Sequence, residues 1–155
     1  MPVIIILKSE HHGNTKKIAE RMARALKARL AEPDKIKITE LNKYNLIGFG
    51  SGIYHRKHHE DLLAFVDKMP CMKGKKAFIF STSGARKMPL VNNFGADLKE
   101  KLLAKGFEIV GEFSCRGWDT YPLFVRPFGG ISKSHPDEKD LNNAEAFAKS
   151  LKVQL

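Results

Sequence analysis

Five apolar residues in succession, Val3-Ile4-Ile5-Ile6-Leu7, run almost directly into the polar loop Ser9-Glu10-His11-His12-Gly13-Asn14-Thr15. A run that is apolar on both parities fits a strand covered on both faces, the usual state of a central strand in a parallel sheet. Beyond the loop, Ile18, Met22, Leu26 and Leu30 recur at four-residue spacing among lysines and arginines, which predicts an amphipathic helix. A glycine-bearing loop between a first strand and a first helix is where α/β proteins hold a phosphate. The N–H groups that open a helix have no intrahelical partner, and the helix dipole makes that end partly positive. Gly13 lets the backbone come close to an anion. Ser9 and Thr15 offer hydroxyls, and His11 and His12 offer imidazole donors. An ordinary strand–helix turn capped by Asn14 or Ser9 would use the same residues.

The rest of the chain extends this alternation. Leu46–Gly50 and Ala77–Phe80 are also apolar almost throughout and predict two more central strands. Lys35-Ile36-Lys37-Ile38-Thr39 alternates, as do Phe107, Ile109, Phe113 and Cys115 against Glu108, Glu112 and Ser114. Alternation means one wet face, so these are the expected edge strands. Helical stripes lie between them at Leu62, Leu63, Phe65 and Val66, and at Phe94, Leu98 and Leu102, the latter stopped near Gly106. The last, Leu141, Ala144, Phe147, Ala148 and Leu151, is entered through Pro136-Asp137-Glu138. The pattern predicts one α/β domain over 1–155, a three-layer sandwich around a five-stranded parallel sheet of order 2-1-3-4-5. Only Glu40–Tyr44 would then join strands two and three, whereas a parallel crossover needs a dozen residues or more. Strand two is therefore expected to be short.

Ligands of open parallel sheets sit beyond the carboxyl ends of the strands, at the switch in strand order. Three exits meet there: Ser9–Thr15, Ser51-Gly52-Ile53-Tyr54-His55-Arg56-Lys57 and Ser81-Thr82-Ser83-Gly84-Ala85-Arg86. All carry glycine and hydroxyl residues. The fourth exit opens a long connection, about 116–136, rich in aromatic residues, glycine and proline, and expected to be ordered. Its first part, Cys115–Tyr121, is expected to fold toward the same rim. Gly48-Phe49-Gly50-Ser51-Gly52 lacks dinucleotide-loop spacing, and there is no Walker loop. A phosphoacceptor domain would want an aspartate where strand three ends in Gly50-Ser51. His55, His58 and His59 lack the ligand spacing of a metal site and no metal is expected.

Here the chain resembles the flavodoxin family. The residues that carry the resemblance are Ser9…Gly13-Asn14-Thr15-Lys16-Lys17-Ile18-Ala19, then Tyr44-Asn45-Leu46-Ile47-Gly48-Phe49-Gly50-Ser51, then Phe80-Ser81-Thr82-Ser83-Gly84. The resemblance implies a short-chain flavodoxin-like protein with one non-covalent FMN. It implies that Gly13, Asn14 and Thr15 hold the 5′-phosphate, with Ser9 and His12 alongside; His11 of the same loop is a further candidate donor. It places the isoalloxazine at Ser51, Gly52, Ile53 and Tyr54 and at Ser81, Thr82, Ser83 and Gly84. Tyr54 is the natural stacking ring, and Trp118 and Asp119 are further candidates from the fourth exit. Two features depart from the family. His12 stands where threonine is usual, and the chain is basic where flavodoxins are commonly acidic.

That charge, 27 Lys and Arg against 17 Asp and Glu for a formal +10, points to an acidic redox partner or to diffuse solubilising lysine. No segment reads as a leader or a membrane span, and Cys71 and Cys115 read as reduced thiols, so a cytoplasmic protein is expected. The expected function is electron transfer through FMN, with no residue acting as acid or base. A reductase of FMN or quinones driven by NAD(P)H is the rival enzyme on this fold. A basic binding module without flavin, for nucleic acid, is the other rival, but no aromatics interleave its basic residues.

Overall fold

In the computed structural model, residues 2–10, 13–54, 56–83, 95–117 and 134–155 are described. Their elements run β1 (Val3–Lys8), α1 (Asn14–Leu26), β2 (Arg29–Ala31), β3 (Leu46–Tyr54), β4 (Lys57–His58), α2 (Glu60–Asp67), β5 (Lys76–Ser83), α3 (Ala96–Ala104), β6 (Glu108–Arg116) and α4 (Glu138–Lys152). Five strands pair in the order β2-β1-β3-β5-β6, all parallel. This is the expected order once β4, a two-residue antiparallel return on the end of β3, is set aside.

The apolar run of β1 divides as a doubly covered strand must. Ile4 and Ile6 join Phe49, Ile79, Leu62, Phe65, Leu98 and Leu102 on the face covered by α2 and α3. Val3, Ile5 and Leu7 join Phe78, Phe80, Ile18, Met22, Ala144 and Leu151 on the face covered by α1 and α4. The glycines of β3 make room for the rings of β5. A Cβ at Gly48 would lie 2.3 Å from Phe78, and one at Gly50 would lie 2.2 Å from Phe80. Arg21 ties α1 to α4 through Glu138 at 2.8 Å and Glu145 at 3.2 Å.

Two expectations are corrected. Strand two is Arg29–Ala31, not residues 35–39. Pro33–Lys35 and Ile38–Lys43 are short 3-10 helices, and the alternation of Ile36 and Ile38 comes from their pressing on the core from that connector. The first helix ends at Leu26, so Leu30 belongs to the strand and not to the helical stripe. Lys27, at φ 54, turns the chain left-handed, and Ala28 N–H closes the helix on Ala23 O at 2.9 Å. No glycine announced that stop. The crossover from Ala31 to Leu46 thereby gains the length a parallel connection requires.

The second correction concerns the last strand. A shift in register between Ala77 and Phe78 of β5 leaves Val110 of β6 without a counterpart in β5. One extra residue reverses the faces that follow it. Phe107 and Ile109 pack on the α2–α3 side, while Val110, Phe113 and Cys115 pack on the α1–α4 side. The shared parity read from the sequence is thus split between two faces.

Candidate functional site

The carboxyl ends of β1, β3, β5 and β6 meet at one rim, and side chains knit them together. α1 begins at Gly13, whose φ of 68 is left-handed and which carries no side chain to block the backbone. Gly13 itself has no side chain to cap this helix, and the first turn holds no acidic residue. α2 and α4, by contrast, are capped by His59 and Asp137. Ser9 Oγ accepts from Lys16 N–H at 3.3 Å, which folds the β1 exit against the first turn of α1.

Thr15 is buried and its Oγ1 lies 2.9 Å from Oγ1 of Thr82, also buried. Two residues from the first and third predicted loops therefore meet directly. One hydroxyl donates to the other, which leaves one hydroxyl proton to be donated elsewhere. The end of β6 closes over the same place. Gly117 N–H donates to Ser83 O at 2.9 Å, and a Cβ at Gly117 would lie 2.6 Å from Asn14 Nδ2. Gly117 is thus a glycine because Asn14 occupies the space.

The β3 exit is organised around Ser51, which is fully buried. Its hydroxyl donates to Gly52 O at 2.7 Å and accepts from His59 N–H at 2.9 Å. His58, also buried, brings Nδ1 to within 2.9 Å of the same oxygen. Ser51 therefore fixes the turn between β3 and α2 from inside, and its hydroxyl is committed to the protein. Tyr54 lies back along the strand over Gly52, where a Cβ would come within 3.0 Å of its hydroxyl. Its ring meets the edge of His59 at 5.4 Å and 89°. Ile53 is half-buried beside it and pairs with His58 across the β3–β4 turn.

Charged groups tie the first loop to α2. Lys8 Nζ lies 3.4 Å from Asp61 and 3.7 Å from Glu32. Desolvation lowers the Lys8 pKa, but the hydrogen bond and charge of Asp61 outweigh it, and the ammonium lies above its usual value. Glu10 Oε1 lies 3.0 Å from His59 Nε2. A groove of about 680 Å³ opens behind these pairs, between α2 and the β2–β3 connector, lined by Ile36, Ile38 and Phe65 among others. It contains none of the loop hydroxyls and flanks the rim.

Of the predicted site residues, Ser9, Gly13, Asn14, Thr15, Ser51, Gly52, Ile53, Tyr54, Ser81, Thr82 and Ser83 stand on these exits. His11, His12, Gly84, Trp118 and Asp119 lie outside the described residues, as do His55 and most of the 116–136 connection. Of the expected Cys115–Tyr121 segment, residues 115–117 are described, with Gly117 against Asn14, and the rest lies outside the described residues. Sequence reasoning missed the Glu10–His59 tie, the Ser51–His58 pair and the role of Gly117. All three are contacts between loops distant in the chain, and no local pattern marks them. His135, Asp137 and Asp140 gather at the start of α4, but their side chains serve its capping box, with Asp137 and Asp140 each accepting the other's N–H at 2.9 Å. Cys71 and Cys115 are both free thiols, as expected.

Residues 4–117 match a family model described as a flavodoxin domain. The chain belongs to the flavodoxin family. It is 47% identical over 152 residues to an uncharacterized protein of Methanocaldococcus jannaschii, covering 97% of this chain and 98% of that one. It is 28% identical over 182 residues to the flavodoxin-like domain-containing protein BilS of Clostridioides difficile, covering 97% and 96% of the two chains. Among solved structures, oxidised flavodoxin 2 of Bacillus cereus superposes with a TM-score of 0.74 at 19% identity, covering 100% of both chains. This chain and that flavodoxin share the flavodoxin-like fold. Among the described residues of this family member, no helix is long and apolar enough to cross a membrane.

Proposed function

We propose that this flavodoxin-family chain binds FMN at the rim and carries electrons with it. The observation that carries the reading is the start of α1: a helix that opens at a left-handed glycine with no side chain of its own, bonded through Thr15 to the exit of β5. That donor set fits a phosphate, because it offers N–H groups, hydroxyls and a positive dipole end, with no acid in the helix's first turn. Gly13, Asn14 and Thr15 would hold the phosphate, with Ser9 beside them. Tyr54 and the backbone of Gly52, Ser81, Thr82 and Ser83 would border the ring. When bound, FMN supplies electron transfer in single or paired steps, and the protein tunes it through the groups it presents. No side chain at the rim is required to move a proton. The Thr15–Thr82 pair orients a hydroxyl, and Tyr54 supplies an apolar face that excludes water.

FMN titration tests this directly. The protein should take up about one FMN per chain by the logic of a single rim, and riboflavin, which lacks the phosphate, should bind much more weakly. Thr15→Ala should cost roughly 1–3 kcal/mol of FMN affinity, the range for a hydrogen bond to a charged group. Equal affinity for riboflavin and FMN would remove the phosphate role. Steady NAD(P)H consumption by the loaded protein would place it among reductases instead of carriers.

A further inference from the structure

Glu10 is a difficulty for any anion at the start of α1. It follows Ser9, whose Oγ accepts from Lys16 N–H, so its backbone adjoins the first turn of the helix and an unrestrained carboxylate could reach that turn. A carboxylate there competes for the positive end of the helix and repels a phosphate already bound. The structure turns it aside. Glu10 Oε1 lies 3.0 Å from His59 Nε2. His59 Nδ1 accepts from Asp61 N–H at 3.0 Å, so the ring proton sits on Nε2 and is donated to Glu10. The imidazole is 15% exposed and is fixed by the helix cap on one side and by the Tyr54 ring on another. One side chain thus spans the β1 exit, the β3 exit and the start of α2.

Resting on the flavin reading above, we infer that His59 is a positioning residue. It holds Glu10 off the start of α1 and keeps that helix end open to the phosphate of FMN. In this role it acts through Glu10 and touches no ligand. The effect is specific to the phosphate: a ligand without one gains nothing from moving the carboxylate.

The test is a four-protein cycle of wild type, His59→Asn, Glu10→Gln and the double variant, each titrated with FMN and with riboflavin. Asparagine retains an oxygen to cap α2 and loses the Nε2–H that ties Glu10. His59→Asn should weaken FMN roughly tenfold, the scale of one hydrogen bond involving a charged group. It should weaken riboflavin, which shares only the Tyr54 ring that His59 supports, far less. Glu10→Gln alone should bind FMN at least as well as wild type, and in that background His59→Asn should have no further effect. His59→Gln, whose amide N–H reaches out to where Nε2 lies as the shorter asparagine amide does not, should recover most of the loss. An equal loss in both backgrounds, an equal loss for riboflavin, or a tenfold loss from Glu10→Gln alone would each overturn the role of His59. If His59→Asn does not fold, His59→Ser, which also keeps an oxygen to cap α2 and loses the Nε2–H, takes its place in the cycle with the same expected outcomes. Wild-type protein that binds neither flavin would instead overturn the flavin reading itself.

Discussion

Thr15 and Thr82 share one buried hydrogen bond of 2.9 Å across the rim, and each was predicted for the site by its own loop. Cys115 sits nearby in β6, aligned with Thr82. Burial pushes its thiol up to about 12, and the charges of Asp140 and Asp137 act in the same direction. Almost none of it is thiolate at mildly alkaline pH, and the thiolate is the reactive form. Cys71 is exposed. A disulfide reagent should therefore modify one thiol per folded chain quickly, and the second only after denaturation. Two fast thiols would show that the end of β6 opens in solution.

At the scale of elements, the helix starts differ in kind. α4 satisfies its own first turn through the reciprocal pair Asp137 and Asp140, whereas α1 opens at Gly13, which has no side chain to cap it. The N–H of Asp140 is the main reason the Asp137 carboxyl lies below its usual value; desolvation opposes it. A carboxyl depressed in the folded state stabilises fully above its unfolded value of about 4. That contribution is lost as pH falls through the folded value. Asp137→Ala should lower the thermal midpoint at neutral pH and flatten its fall on the acid side. Asp137→Asn keeps a capping oxygen, so it should retain more of the neutral stability and still lose the acid dependence. Thermal melts from roughly pH 3 to 7 would show both, and an unchanged acid limb would remove Asp137 from the account.

Across the whole molecule, ion pairs such as Lys57–Asp97, Lys99–Glu112 and Lys101–Asp67 use part of the positive charge, and a formal +10 remains. Lys16 and Lys17 are exposed on the first turn of α1, and Arg56 is exposed at the β3 exit, so some of the excess lies at the rim. That field would steer an acidic redox partner toward the site. Electron transfer from a negatively charged donor should slow as salt rises, because screening confines the attraction to about 8–10 Å near physiological ionic strength. Stopped-flow rates over a salt series measure this. Indifference to salt would mean that the lysines act only in solubility. Tight, salt-sensitive DNA binding that excludes FMN would favour the nucleic-acid module.

The amino-acid sequence by itself determined the layers, the strand order and the loops that leave the carboxyl end of the sheet. Those properties are periodic or local: doubly covered strands read as unbroken apolar runs, and a strand–glycine–helix junction is contiguous in the chain. Position along strand two and face along strand five were not legible. The first turned on a lysine, Lys27, adopting a left-handed conformation that glycine usually marks. The second turned on a single extra residue in register, Val110, which only the pairing with β5 reveals. The internal use of Ser51, the space Asn14 demands at Gly117 and the hold of His59 on Glu10 were likewise decided by tertiary structure. Each joins segments that the sequence separates and that only packing around the common sheet brings within bonding distance.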